Sequence, residues 1–293
     1  MILCETMINI TKISPQKLIQ ECIFERVSKF LLLDLYDHVF LRITMDSKQQ
    51  LLNKSNEAKE IFLPHISADP VVFGFEQNEL KVLLLKMNYR KQWLLPGGYI
   101  KKDEDLEDGV ARILKDRAGV TDVYLEEFGV FGRKNRSEFY FEDFDDTLFH
   151  KQRFISIGYF ALYNPSKINL IVDEFSENCD WIYLSRLSEI ELAMDHREII
   201  EKALLALREK ISIKPIGYNL LPEKFTLSEL QKLYEAILGK ELNRGNFYRK
   251  IKNLGILNKL EEQRRGGAHK SPDLYSFDEE NYAKALENGL NNW

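Results

Sequence analysis

Apolar residues recur between residues 106 and 114 with the period of a helix, so that Leu106, Val110, Ile113 and Leu114 share one face. Asp103 is placed to cap that helix, Lys115 and Arg117 suit its C-terminal end, and Gly119 stands just beyond. The same period returns at Leu227, Leu230, Leu233, Tyr234, Ile237 and Leu238. That segment is opened by the S/T-x-x-E capping box of Thr226 and Glu229 and closed by Gly239. A second helix begins near Asn243, turns Phe247, Ile251 and Leu254 inward and stops at Gly255, and another is predicted from His196 to Lys210. Between the helical stretches lie short β-rich runs. VVFGFE and LKVLLLKM read as a hairpin turning at Gln77-Asn78-Glu79, with VYLEEFGVFG, RFISIGYFALY and CDWIYLSRL as further strands. Ile256–Glu262 and Asp273–Phe277 form a last pair around the basic turn RRGGAHK. The loop Arg133–Gln152, rich in Phe, Tyr, Asp and Glu, is long enough to be functional at the mouth of a cleft, the plain alternative being a mobile surface loop.

The stretch WLLPGGYIKKDEDLEDGVARILKDRAGV (Trp93–Val120) resembles a Nudix box, matched without insertion at Gly98, Glu104, Arg112, Leu114, Gly119 and Val120 and preceded by Trp93 and Pro96. In that pattern carboxylates follow the Arg at helical positions i, i+3 and i+4 and together hold a divalent cation. Here those positions carry Ile113, Asp116 and Arg117. An aliphatic group offers no oxygen, and a guanidinium repels the dication that diphosphate chemistry requires. The reading is a Nudix fold used to bind rather than to cut, with no catalytic residue, no metal site and no cofactor.

Charge singles out the C-terminal segment. From Gly239 to Lys270 there are nine basic and three acidic residues, a surplus of six, in a chain whose net charge is −5. A cationic patch on an acidic protein marks a polyanion partner. Helix, turn, basic helix and a β-hairpin with a cationic tip is the order of a winged helix-turn-helix. The N-terminal part of a recognition helix reads base edges, which places Arg244 against guanine and Asn246 against adenine. Arg249 lies beside them. Lys250 and Lys252 are assigned to phosphates, as are Arg264, Arg265, His269 and Lys270 in the wing, with Gly266 and Gly267 allowing its tip to turn.

Together the two halves resemble the Nudix-related bacterial transcription regulators. PIGYNLLPEKFTLSELQKLYEAILGKELNRGNFYRKIKNLGIL is the most specific part of the likeness, LPHISADPVVFGFEQNELKVLLLK adds to it, and it spans roughly Leu63 to Phe277. The resemblance implies an α/β fold: a Nudix-type α/β/α sandwich with a mixed sheet, then a winged helix-turn-helix. It implies three segments, namely an N-terminal extension (1–62), an effector-binding domain (63–212) and a DNA-binding domain (213–293). It also implies a homodimer on palindromic double-stranded operator DNA and a small-molecule effector. Members respond to ADP-ribose or to pentoses such as arabinose, and the lean here is to a sugar, with a link to carbohydrate metabolism. Trp93, Arg112 and Arg117 are the candidate effector contacts.

Cysteine usage and hydropathy narrow the setting. Cys4, Cys22 and Cys179 are dispersed, without CxxC spacing, as suits a reducing cytoplasm. The longest apolar candidate for a membrane span, FLLLDLYDHVFL, is broken by Asp34, Asp37 and His38, and the first residues lack the cationic start of a signal peptide. Residues 1–62 carry no motif beyond a possible helix start at Ser14-Pro15, and translation from Met45 would leave a short polar leader. Two other functions are open. One is an active Nudix hydrolase binding Mg²⁺ through Glu104, Asp116 and either Glu107 or Asp108. The other is an adaptor whose basic tail binds RNA or an acidic protein.

Overall fold

A computed structural model describes residues 49–288 apart from 51, 56, 168–169 and 264–271. By its contacts the chain divides into residues 1–51 and Leu52–Trp293, and the sheet, the helices packed on it and the C-terminal hairpin all belong to the second unit. Ser14, Pro15, Cys4, Cys22 and Met45 lie outside the described residues, as do the wing-tip residues Arg264, Arg265, Gly266, Gly267, His269 and Lys270.

A 7-stranded mixed sheet organises the first part of that unit. Its long strand β1 (Phe62–Glu76) pairs antiparallel with β2 (Glu79–Met87) and parallel with β6 (Ile155–Leu162). The short strands β3 (Trp93–Leu94) and β4 (Gly98–Lys101) pair with β2 and β1. β5 (Tyr124–Phe131) pairs with β6, and β7 (Ser176–Tyr183) with β2. The β1–β2 turn holds Gln77 and Asn78 at positive φ (52° and 65°) between the paired Glu76 and Glu79. Two left-handed residues give the twist that a two-residue hairpin needs.

Because side chains alternate along a strand, the unbroken apolar run of β1 and β2 serves both faces of the sheet. Val71, Phe73, Val82 and Leu84 face helix α2 (His196–Ile213), whereas Val72, Leu83 and Leu85 face helix α1 (Leu106–Ala118). The result is the α/β/α sandwich expected from the sequence. The N-cap of α1 is Asp105 rather than Asp103, and its side chain makes no capping bond. Gly119 closes α1 at φ 74° as anticipated.

The second part packs α3 (Leu227–Leu238) against α4 (Arg244–Asn253), with the antiparallel hairpin β8 (Leu257–Gln263) and β9 (Asp273–Phe277) and a final helix α5 (Glu279–Asn288). Thr226 and Glu229 make both bonds of the capping box, and Gly239 ends α3 at φ 68°. A single apolar cluster runs from the sheet through Ile199, Ala203 and Leu207 of α2 into Leu230, Leu233, Tyr234, Phe247 and Ile251. Helix α2 thus belongs to both cores. No helix among the described residues is long and apolar enough to cross a membrane.

Candidate functional site: the sheet cleft and the basic helix

Strand β4 and helix α1 hold the frame of the box. Glu104 accepts from Arg112 Nε at 2.8 Å and from Arg112 Nη2 at 2.7 Å, and also from the Lys101 amide at 2.7 Å. Arg112 Nη2 donates in addition to the Tyr99 carbonyl at 2.9 Å. These bonds from Arg112 hold the Glu104 carboxyl below the usual carboxylate range, against the opposing effect of burial. Both groups therefore tie the strand–helix turn together, and Arg112 is committed to that role.

Each of the three replaced positions has an occupation of its own. Ile113 is 2% exposed and sits against Gly98, where a Cβ would lie 2.9 Å from Ile113 Cγ1. Asp116 is exposed and lies 3.7 Å from Arg112. Arg117 places Nη1 2.8 Å from Asp173 Oδ2 and donates from Nη2 toward Met87 Sδ at 3.6 Å. Among the described residues no group of three or more His, Cys, Asp or Glu is placed to hold a metal ion. A divalent cation does not fit residues of this kind: the neighbouring positions offer one exposed carboxylate, a buried aliphatic and a fixed positive charge.

The segment between β5 and β6 covers this region with aromatic rings. Tyr140, Phe141, Phe144, Leu148 and Phe149 are buried, so the segment is packed rather than a plain surface loop. Tyr89, from the turn after β2, meets Tyr140 at 6.2 Å and Phe144 at 6.0 Å between ring centroids. Tyr99 on β4 meets Phe154 at 4.7 Å, Phe149 at 5.1 Å and His150 at 5.4 Å. Arg90 fastens the segment by donating to the Tyr140 carbonyl at 2.9 Å and pairing with Asp143 at 3.0 Å. Within this aromatic wall Arg117 Nε, Tyr140 Oη and His150 Nδ1 are buried with no hydrogen-bond partner among the described residues. Burial, then the neighbouring Arg117 charge, pushes the His150 imidazole down to about 4, so it is neutral at physiological pH. Unsatisfied buried polar atoms are costly, and their concentration here marks a place where another molecule's polar groups would be stabilising.

A buried ionic cluster at the root of the same segment escaped the sequence reading. Arg136, 2% exposed at its side chain, donates to both oxygens of Asp195 at 2.8 Å and to Asp69 Oδ2 at 2.8 Å. Ser156 donates to the same Asp69 oxygen at 2.6 Å. Burial opposes ionisation of Asp69, but the surrounding charge and hydrogen bonds leave its carboxyl below the usual range. His196 accepts from the Leu95 amide on Nδ1 at 2.9 Å, and burial lowers its pKa. It is therefore neutral with its proton on Nε2, and Arg136 supplies the countercharge for Asp69. Nothing periodic announces these residues. The only hint was His196, predicted to open a helix and found as the first residue of α2.

Trp93, the remaining candidate effector contact, is half-buried on β3 and packs against the α2-side core. Its amide donates to Glu191 O at 2.9 Å and its carbonyl accepts from Ala193 at 2.9 Å, so its surroundings are structural.

On the basic helix, Asn243 is the N-cap and accepts from the Asn246 amide at 3.0 Å. Phe247 and Ile251 point into the core, which leaves Arg244, Asn246, Arg249, Lys250 and Lys252 exposed. Asn246, Arg249 and Lys250 share a face by their spacing. Arg249 Nη2 donates to Asn246 Oδ1 at 3.1 Å, and the Arg244 guanidinium stands 5.1 Å from the Tyr248 ring centroid. At the base of the hairpin Lys259 pairs with Asp273 at 2.7 Å, so it is occupied within the fold.

Comparison with known proteins adds two domain matches. Residues 63–203 match the NUDIX domain, and residues 217–277 match the NrtR DNA-binding winged helix domain. The chain is 27% identical over 247 residues to the ADPR responsive transcriptional repressor NtrR of Acinetobacter baylyi, covering 83% of this chain and 93% of that protein. It is also similar to the crystal structure of Shewanella oneidensis NrtR (27% identity, 75% of this chain and 96% of that one, TM-score 0.62). The structure of that protein complexed with a 27mer DNA gives 26% identity, 74% and 95% coverage and a TM-score of 0.59.

Proposed function

Since the chain joins a Nudix domain to an NrtR-type winged helix, and so belongs to the Nudix-related transcription regulators, we propose that it binds operator DNA and that its Nudix cleft senses a small molecule instead of hydrolysing one. The observation that carries the sensing half is the fate of the box: Ile113 is core and Arg117 is ion-paired where a cation would need carboxylates. This disfavours the active hydrolase. The DNA half rests on the exposed basic face of α4, and the Shewanella relative was crystallised with a 27mer DNA. In this proposal Arg244 and Asn246 meet base edges, Arg249 supports Asn246, and Lys250 and Lys252 meet phosphates. Arg264, Arg265, His269 and Lys270 contact the backbone from the wing. The effector domain comprises residues 63–212 and the DNA-binding domain residues 213–293. The chain works in the cytoplasm as a homodimer on a palindromic duplex.

The leading effector is ADP-ribose, to which the Acinetobacter relative responds. This replaces the lean toward a sugar, which the relatives do not support. Tyr89, Tyr99 and Tyr140 offer ring faces or edges to a base, and Arg117 Nε, a donor without a hydrogen-bond partner among the described residues, suits a diphosphate oxygen. One observation keeps an uncharged pentose as the second reading. The cleft guanidiniums of Arg90, Arg112 and Arg117 already face Asp143, Glu104 and Asp173. Paired charges of this kind suit hydroxyl groups as well as phosphates.

The test is thermal unfolding of the full chain with ADP-ribose, L-arabinose or neither, with Mg²⁺ absent. A ligand at about a hundred times its dissociation constant adds ~2.7 kcal/mol to stability. A shift with ADP-ribose supports the leading reading, and a shift with the pentose alone supports the second. A shift with neither contradicts sensing of either class.

A further inference from the structure

Helix α2 is gripped by an arginine near each end, and the two grips join the cleft segment to the recognition helix. At the N-terminal end Asp195, the N-cap of α2, receives both hydrogen bonds from Arg136, which roots the aromatic segment of the cleft. Near the other end Arg208 Nε donates to the Ile237 carbonyl at 2.7 Å, in the last turn of α3. There Gly239 adopts φ 68°, and a Cβ on it would lie 3.1 Å from Arg208 Nη2, so the guanidinium lies close against the turn. The turn is fixed in its own right. Glu235 accepts from the Leu242 amide at 3.0 Å, and Gln231 donates to the Leu242 carbonyl at 2.9 Å. The next residue, Asn243, caps α4.

From this arrangement we infer that α2 is the transmission element of the protein: Arg136–Asp195 couples the occupied or empty state of the cleft to the helix, and Arg208–Ile237 passes it to the α3–α4 turn and so to the placement of α4. The inference rests on the proposed function, because it needs an effector and a DNA site. A helix is stiff along its axis, and this one shares its apolar face with both cores, so a change at its N-cap is felt at its far end. Arg136 is well suited to report the cleft. It is buried, it lies four residues before Tyr140, and its bonds are charge-assisted and directional. Arg208 is suited to report onward because a carbonyl at a helix C-terminus carries partial negative charge.

A contiguous route of contacts is not by itself evidence of coupling, so the test reads coupling directly. The full chain selects a duplex from a randomised pool, and its affinity for that duplex is measured alone, with ADP-ribose and with L-arabinose. The wild type is expected to change affinity by about five-fold or more with one of the two compounds. Asp195→Asn, which keeps the shape of the side chain and removes its charge, and Arg208→Met, which keeps the apolar stem, are expected to retain thermal stabilisation by that compound and duplex binding without it. Their response to the compound is expected to fall to within about two-fold. Glu201→Ala, an exposed change on the same helix, is expected to respond as the wild type does. A responding wild type whose Asp195→Asn and Arg208→Met variants respond equally overturns the route and leaves the proposed function intact. Loss of response in Glu201→Ala as well overturns the specific role of the two grips. A wild type whose affinity neither compound moves contradicts the proposed function and takes this inference with it.

Discussion

Arg136 places both of its Asp195 hydrogen bonds at 2.8 Å while a third reaches Asp69 at 2.8 Å, so one guanidinium joins the cleft segment, strand β1 and the first turn of α2. Two carboxylates and one arginine leave the cluster with a net negative charge that the fold tolerates only while the guanidinium is present. Arg136→Met should therefore destabilise the chain by about 3–5 kcal/mol, the usual consequence of orphaning a buried partner. Urea unfolding checks this. A loss under about 1 kcal/mol would mean that water reaches the two carboxylates.

Acidification should weaken the fold in a definite window. His150 titrates near 4 in the folded chain against an ordinary value of 6.5, so between these values the unfolded chain binds more protons and stability falls as pH falls. The contribution is up to about 3 kcal/mol. Asp69 acts in the same direction at lower pH. Its folded value is depressed, so its stabilisation is present above the ordinary carboxylate range and is lost as pH drops through the folded value. His150→Gln should make the stability profile shallower between pH 6.5 and 4, as read from unfolding midpoints, the slope that remains including that of His196, whose pKa burial also lowers.

Removing the N-terminal cap of α3 should act locally. Thr226→Ala loses the two hydroxyl bonds with Glu229 and keeps the one donated by its amide, and a cost of about 1 kcal/mol is expected. Calorimetry should show a lower melting temperature with no change in effector affinity, since the lost bonds lie within the cap of α3.

On the exposed basic surface of α4 the lysine and the arginine should behave differently. Lys252→Ala should weaken every duplex alike and lower the salt slope of log K by about 1, as expected for one lost phosphate contact. Arg244→Ala should cost about 1–3 kcal/mol on the selected duplex and relax the preference at one base position. Anisotropy titrations over a salt series with selected and scrambled duplexes separate the two. An unchanged salt slope for Lys252→Ala would remove it from the interface.

Much of the fold was legible because its signals are local. Thr226 and Glu229 announce α3, Gln77-Asn78 announces the β1–β2 hairpin, and the spacing of Phe247 and Ile251 orients α4 with its basic residues outward. The box frame was legible for the same reason, down to the absence of carboxylates at 113 and 117. The N-cap of α1 was misplaced by two residues because DEDLED offers several acidic caps in a row, and none makes the bond that would decide between them. The surroundings of the candidate contacts were only half legible: the motif names Arg117, whereas Trp93 and Arg112 turn out to be engaged in core and turn, and Arg136 carried no local signal. Its partners Asp69 and Asp195 are 67 and 59 residues away in sequence. Pairings at such a distance are set by tertiary packing, which no periodicity records. The aromatic segment was ambiguous for a related reason: acidic and aromatic residues alternate in it, and only packing decides that the rings turn inward.

Whether the protein senses a small molecule and answers on DNA comes down to one titration of the full chain with its selected duplex. It is run with and without ADP-ribose and L-arabinose, repeated with Mg²⁺, and followed by chromatography of the small molecule. Expected are salt-sensitive duplex binding, a change in affinity of about five-fold or more with one compound, and recovery of that compound intact whether or not Mg²⁺ is present. Failure to bind any duplex, or Mg²⁺-dependent conversion of ADP-ribose to AMP and ribose phosphate, would contradict a sensing, DNA-binding role.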